Sequence, residues 1–246
     1  SAAVGMSTAG VIPFVSTFAA FFSRAYDQIR MAAQSNANIK MVGSYAGVSI
    51  GMDGQSQMGL EDISMMRSLQ SSIVLYPSDP YAMKGVMELA LKNNGLVYIR
   101  ATRQDTPVIY SDQDEFRLGG FKVFSAGSNA KVSIISAGIT VHESLKAQKV
   151  LESEGNYVQV IDLYSIKPID FESLERSLLS KKIIIVEDHF PQGGIGEAVM
   201  AGLVNKNFSF KHLAVFKQPM SGKPEELLNY EEIDSVAIIS AVKSLL

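Results

Sequence analysis

The chain has 246 residues, a formal net charge of -3 and no cysteine, which excludes disulfides, zinc-thiolate sites and cysteine nucleophiles. Hydrophobic residues make up 47%, enough for a sizeable core and too many for a disordered chain. The mild acidity and the lack of a long basic run argue against nucleic acid as the main partner.

The first apolar stretch, residues 11–22, is interrupted by Pro13, Ser16 and Thr17 and followed closely by Arg24. It is too short to span a bilayer, and no basic region precedes it as a signal peptide requires. The ending Ser244-Leu245-Leu246 is not the peroxisomal Ser-Lys-Leu. A cytoplasmic protein fits these features.

Short β-branched runs alternate with amphipathic segments, the pattern of an α/β protein with a mainly parallel sheet. Strands are predicted at residues 11–15, 39–44, 72–76 and 96–100, with helices at 18–33, 59–68 and 79–92 between them. Ser16 and Thr17 suit the cap of the first helix, and Asp79 the start of the third. Residues 106–129 weaken into Asp, Gly, Ser and Asn, which reads as a linker with room for a short strand or hairpin. Alternation then resumes, with strands expected at 131–136, 157–162, 182–187 and 212–216 and helices at 141–154, 170–179, 196–204 and 231–245. The expectation is two consecutive α/β units with mainly parallel sheets, joined by a linker. Fold alone does not decide function.

Four segments could carry chemistry. In Ser16-Thr17-Phe18-Ala19-Ala20-Phe21-Phe22, Phe18 and Phe21 lie three apart and would share a helix face. They could clasp a flat heteroaromatic ring, although spacing alone favours a core helix with aromatic anchors. The run from Gly43 to Gln57 is dense in glycine directly after a strand, so backbone could approach a ligand there. Loops at the carboxyl ends of parallel strands are where such sheets bind small molecules. Asp53 and Gln57 supply an acceptor and an amide suited to polyhydroxylated ligands; an ordinary Asp-Gly turn is the competing reading. Arg100 and Arg103 close a strand and suit phosphate capture, against a solvated surface pair. Glu187-Asp188-His189 followed by Gly193-Gly194-Ile195-Gly196 only loosely resembles a dinucleotide fingerprint, and a structural or interface loop fits it better. His142, His189 and His212 lack metal-ligand spacing. Glu61 and Asp62 are adjacent and would point apart on a helix, a poor pair for acid–base work.

Taken together, these segments resemble transketolase, most closely its animal-type branch. The resemblance is carried by Pro13-Phe14 with Ser16 to Phe22, Asp27-Gln28-Ile29-Arg30-Met31-Ala32-Ala33, and Gly47-Val48-Ser49-Ile50-Gly51 with Asp53-Gly54. Tyr76-Pro77-Ser78-Asp79, Ile166-Lys167-Pro168, Val186-Glu187-Asp188-His189, Gly193 to Val199 and Ser221-Gly222-Lys223-Pro224 with Glu226-Leu227-Leu228 extend it over essentially the whole chain. The resemblance implies transfer of a two-carbon ketol unit from a ketose phosphate to an aldose phosphate, with thiamine diphosphate and magnesium or calcium. It also implies a dimer, the cofactor lying between two chains. Residues 1–111 resemble the later part of a pyrimidine-binding domain, making that unit incomplete; 112–120 form the linker and 121–246 the carboxyl-terminal domain.

Matched position by position, the resemblance implies that Phe18 and Phe21 clasp the aminopyrimidine and Gln57 stands beside cofactor and substrate. It gives Asp53 the sugar hydroxyls and Arg103 the substrate phosphate. Three departures stand out. The family's catalytic glutamate would fall before Ser1, so no residue here takes that role. The domain holding diphosphate and metal has no counterpart: Met52-Asp53-Gly54 lacks the first glycine of the family's Gly-Asp-Gly signature. Tyr45 stands where the family has a substrate-binding histidine, and a phenol is neutral at pH 7. The chain alone is therefore expected to be inactive and to need an amino-terminal transketolase portion as its partner, whether as a piece of a longer enzyme or as a split subunit. The competing readings are a non-catalytic transketolase-like partner, or another thiamine enzyme such as deoxyxylulose-phosphate synthase or the β-subunit of a 2-oxoacid dehydrogenase.

Overall fold

The computed structural model describes residues 1–246 apart from Ala126 and Ser128. Those two positions of the predicted linker lie outside the described residues. In chain order the first half runs α1 (Ala2–Thr8), β1 (Phe14–Phe18), α2 (Tyr26–Gln34), β2 (Lys40–Ser44), α3 (Asp62–Arg67), β3 (Ile73–Leu75), α4 (Pro80–Lys92) and β4 (Val97–Arg100). The second runs β5 (Lys122–Ser125), β6 (Val132–Ser136), α5 (Ile139–Ser153), β7 (Val158–Asp162), β8 (Ser165–Lys167), α6 (Phe171–Ser177), β9 (Lys182–Val186), α7 (Ile195–Gly202), β10 (Ser209–Leu213), α8 (Pro224–Tyr230) and α9 (Ser235–Lys243).

Two five-stranded sheets result, ordered β1-β2-β4-β3-β8 and β10-β9-β6-β7-β5. Within each, four strands are parallel and one edge strand, β8 or β5, is antiparallel. Strands β4, β6 and β7 are buried along their whole length, as parallel strands covered on both faces must be, and this is why they read as nearly unbroken apolar runs. The helix starts follow local chemistry. The carboxylates of Asp79, Asp170 and Asp234 accept from the backbone of Ala82, Ser173 and Ala237, each cap worth about 1 kcal/mol.

Several elements differ from the sequence reading. The segment predicted as one helix over 18–33 is instead the end of β1, a 3₁₀ turn at Ala19–Ala25, and α2. Ser16 and Thr17 are strand residues, not caps, because β1 pairs in parallel with β2 from Phe14 opposite Lys40 to Phe18 opposite Ser44. That ladder satisfies the backbone groups of Phe14–Phe18 on the side facing β2. Helices α1 and α8 and strand β8 lie outside the sequence reading, and the strand expected at 212–216 is β10 at Ser209–Leu213; for α8, Pro224 at its first position and Glu226, which accepts from the Lys223 amide, are ordinary start signals.

The halves are not independent. Strand β8, from the second, closes the first sheet against β3. One core cluster joins Phe22, Met41, Met66 and Tyr98 of the first half to Ile135, Ile161, Ile185 and Ile195 of the second. Among the described residues no helix is long and apolar enough to cross a membrane.

Candidate functional site

Strands β1, β2 and β4 are parallel neighbours, so Phe18, Ser44 and Arg100 end at the same edge of the sheet. The chain leaves β2 through Tyr45, a non-glycine residue with φ 56, and turns again at Gly47, Gly51 and Gly54, whose φ values are 88, 89 and 82. Tyrosine rarely holds a left-handed backbone, and such outliers gather at functional loops. Here the conformation lays the Tyr45 ring on Phe18, centroids 4.2 Å apart and planes 7° from parallel. Phe18 stacks in turn on Phe21 at 5.3 Å and 3°. The Arg103 guanidinium caps the other end, 5.3 Å from the Tyr45 centroid, a cation–π contact. Its Nη1 donates to Asp53 Oδ2 at 2.7 Å. Gln57 belongs to a 3₁₀ turn, Gln55–Gln57, that packs against the 3₁₀ segment carrying Phe21.

Tertiary structure thus brings Phe18, Phe21, Tyr45, Arg103 and Asp53 into one chain of contacts, with Gln57 on the adjoining turn. Phe18 and Phe21 do share a face, but as a strand end and a 3₁₀ residue. Two stacking intervals of ~3.5 Å would be needed to admit a flat ring between them, and their 5.3 Å separation leaves no such gap. Phe21 is 39% exposed, and the Arg24 guanidinium lies over its ring, 5.8 Å from the centroid.

The pairing of Arg100 with Arg103 as phosphate ligands is overturned for Arg100. Its side chain is fully buried; Nε donates to both Asp62 oxygens, at 2.9 and 3.1 Å, and Nη2 to the carbonyls of Gly59 and Asp188. Burial works against its charge, but Asp62, Tyr76 and Asp188 outweigh that penalty and hold the guanidinium charged. The Tyr98 hydroxyl donates to the same Asp62 carboxylate at 2.6 Å, and burial, reinforced by Asp62, raises the Tyr98 pKa well above its ordinary value. Arg100 is the last residue of β4 and ties the halves together, whereas Arg103 lies beyond the strand on the loop, beside Tyr45 and Asp53.

The glycine turn after β9 holds an internal carboxylate. Glu187 accepts from the amides of Ile195 at 2.5 Å and Gly196 at 3.0 Å and from His212 Nε2 at 2.6 Å. A Cβ at Gly194 would collide with Glu187, and one at Gly196 with His212. Arg67 donates to the carbonyls of Gly193 and Gly194, so the turn docks on α3, an interface role. His142 contacts the Ser78 carbonyl and His189 that of Phe190, and burial lowers both pKa values. Among the described residues no group of His, Cys, Asp and Glu is arranged to hold a metal ion.

Sequence reasoning placed Asp62 and Asp188 in its motifs but not in these roles, because each works through a partner far away in the chain.

Aromatic rings and an Arg–Asp pair gathered at the carboxyl edge of a mainly parallel sheet define the class, an α/β protein with its candidate site at the strand ends. Residues 1–108 match the transketolase pyrimidine-binding domain and residues 124–238 the transketolase C-terminal domain. Transketolase from Homo sapiens is 46% identical over 250 residues, and that from Mus musculus 47% over 249; each comparison covers 100% of this chain and 40% of the relative. The chain thus spans about 40% of the length of these curated relatives. A solved structure of a split-gene transketolase, an inactive β4 tetramer, is 32% identical with a TM-score of 0.91, covering 100% of this chain and 80% of that one. The chain belongs to the transketolase family.

Proposed function

We propose that this chain works in thiamine-diphosphate-dependent transfer of a two-carbon ketol unit between sugar phosphates, together with an amino-terminal transketolase portion. That portion would supply the glutamate and hold the diphosphate and its magnesium or calcium. The observation that carries the reading is the aromatic column ending in the Arg103–Asp53 pair at the sheet edge. Phe21, backed by Phe18 and 39% exposed, would face the aminopyrimidine, near the Arg24 guanidinium over its ring, with Gln57 on the adjoining turn. When bound, the cofactor supplies its deprotonated thiazolium carbon as the nucleophile for the ketol unit.

Asp53 would accept from sugar hydroxyls, Arg103 would bind the phosphate, and Tyr45 would give one neutral hydrogen bond. In the free chain Arg103 and Asp53 engage each other, with side chains 42% and 32% exposed. A pair this exposed is worth less than about 1 kcal/mol, so a phosphate dianion can displace it at small cost. Apolar walls exclude water and strengthen the polar contacts to the ring and sugar. The assembly would be dimeric and cytoplasmic. Likeness to the split-gene transketolase favours, as a second form of the same reading, a subunit that pairs with a separate chain.

The test is ketol transfer with thiamine diphosphate and magnesium, by the chain alone and after adding an amino-terminal transketolase portion. The chain alone is expected to be folded and inactive, and the complemented assembly active. Robust turnover by the chain alone, or none in a correctly assembled complex, refutes the reading.

A further inference from the structure

Glu187 turns into its own glycine loop, but the neighbouring Asp188 faces the other way, toward the loop that carries Tyr45. Asp188 is 1% exposed. Its Oδ1 accepts from the Val48 amide at 2.7 Å and its Oδ2 from the Ser49 amide at 3.3 Å. Its own carbonyl accepts from Arg100 Nη2 at 2.9 Å. A Cβ at Gly47 would collide with the carboxylate, so glycine there, with φ 88, lets the loop close onto the acid. Consecutive amides on one ionised carboxylate make a strong and directional clamp. The Asp188 pKa is raised by burial, against the pull of Arg100 and of the Val48 and Ser49 hydrogen bonds.

A second contact from the same half bears on the same loop. Gln218 donates to Gln55, Ser221 leaves no room for a Cβ at Gly54, and Pro224 closes over Gly51. The stretch between Tyr45 and Gln57 therefore has its back to the carboxyl-terminal half.

We infer that Asp188 is a positioning residue for the sugar-phosphate subsite, fixing the backbone at 47–49 on the loop that carries Tyr45 and Asp53, the partner of Arg103. It touches no substrate itself. The inference rests on the reading of Tyr45, Asp53 and Arg103 as sugar ligands. Phe18 and Phe21 lie on β1 and the turn after it, outside the clamped loop, so the substrate and cofactor sites should respond differently.

Asp188→Asn keeps the shape but sets an amide donor against one of the two backbone donors. In the chain assembled with an amino-terminal transketolase portion, KM for a ketose phosphate is expected to rise about tenfold, the scale of one lost charge-assisted hydrogen bond. The cofactor Kd should stay within about twofold, inside the range of ordinary surface substitutions. An unchanged KM, or KM and cofactor Kd rising together, overturns the inference. Hydrogen exchange on the chain alone separates this from the functional reading: the Val48 and Ser49 amides should exchange about tenfold faster in the variant, with β4 and β6 unaffected. Unchanged exchange refutes the clamp whatever the turnover. Faster exchange without turnover in the wild-type assembly supports the clamp and refutes the functional reading. Should Asp188→Asn not fold, Gly47→Ala, which drives a methyl into the same carboxylate, is expected to give the same pattern.

Discussion

Asp62→Ala should cost far more stability than Arg103→Ala, although each substitution breaks one Arg–Asp pair next to the same strand end. The Asp62 and Arg100 side chains are 1% and 0% exposed. Removing one partner of such a pair leaves an uncompensated buried charge, at about 3–5 kcal/mol. Tyr98 also loses the acceptor of its 2.6 Å hydrogen bond, and an orphaned buried hydroxyl costs about 1–3 kcal/mol. The two effects share one carboxylate and do not simply add, so the expected loss is near the upper end of the first range. Arg103→Ala breaks a pair whose members are 42% and 32% exposed, so its stability cost should stay below about 1 kcal/mol. Urea unfolding of the chain and both variants, followed by circular dichroism, measures the difference. An Asp62→Ala loss under about 1 kcal/mol, or one equal to that of Arg103→Ala, would show that Arg100 is not the buried tie described here.

Further expectations concern the site and pH. In the active assembly Phe21→Ala should weaken cofactor binding by about 1–3 kcal/mol with the fold intact, and an unchanged Kd by titration would make Phe21 mere packing. Tyr45→His should lower KM for phosphorylated donors, most clearly below pH 7, because a histidine with pKa near ~6.5 gains charge there and charge-assisted bonds are about twice as strong. Arg103→Ala should raise the same KM severely; equal effects on unphosphorylated sugars in steady-state kinetics would contradict both assignments. Asp162 is buried, and burial lifts its pKa from 3.8 to about 7 despite hydrogen bonds from Ser78 and Tyr110. With the folded value above the unfolded one, its contribution is full below about pH 4 and is lost as pH rises through about 7. Asp162→Asn should therefore gain about 2–4 kcal/mol relative to the parent between pH 4 and 8. A pH-independent difference in thermal unfolding would exclude Asp162 as the titrating group.

Much of the site was legible because its residues announce themselves locally. Tyr45, Gly47, Gly51, Asp53 and Gly54 follow a β-branched run in a glycine-dense stretch, and Phe18 and Phe21 stand in a compact aromatic segment. The strands of the second half were legible for the same reason: β6, β7 and β9 are buried runs of Val and Ile. The helix expected across 18–33 failed because the pairing of Phe14–Phe18 with Lys40–Ser44 outweighs local helix preference, and no local pattern reports a partner strand. For α8 the signals were present at Pro224 and Glu226 and were not used.

By itself the sequence determined the class of fold, the family resemblance and the glycine-rich loop that carries candidate site residues, because these depend on residue type at short spacing. Only the tertiary structure separated Arg100 from Arg103, both strand-end arginines in the sequence. One is buried against Asp62, 38 residues away, and the other lies against Tyr45 and Asp53. It alone decided that Asp188 accepts from the Val48 amide 140 residues away, and that Glu187 beside it is held by its own glycine turn. Burial and long-range hydrogen bonding assign such roles, and both come into being only when distant segments close on one another.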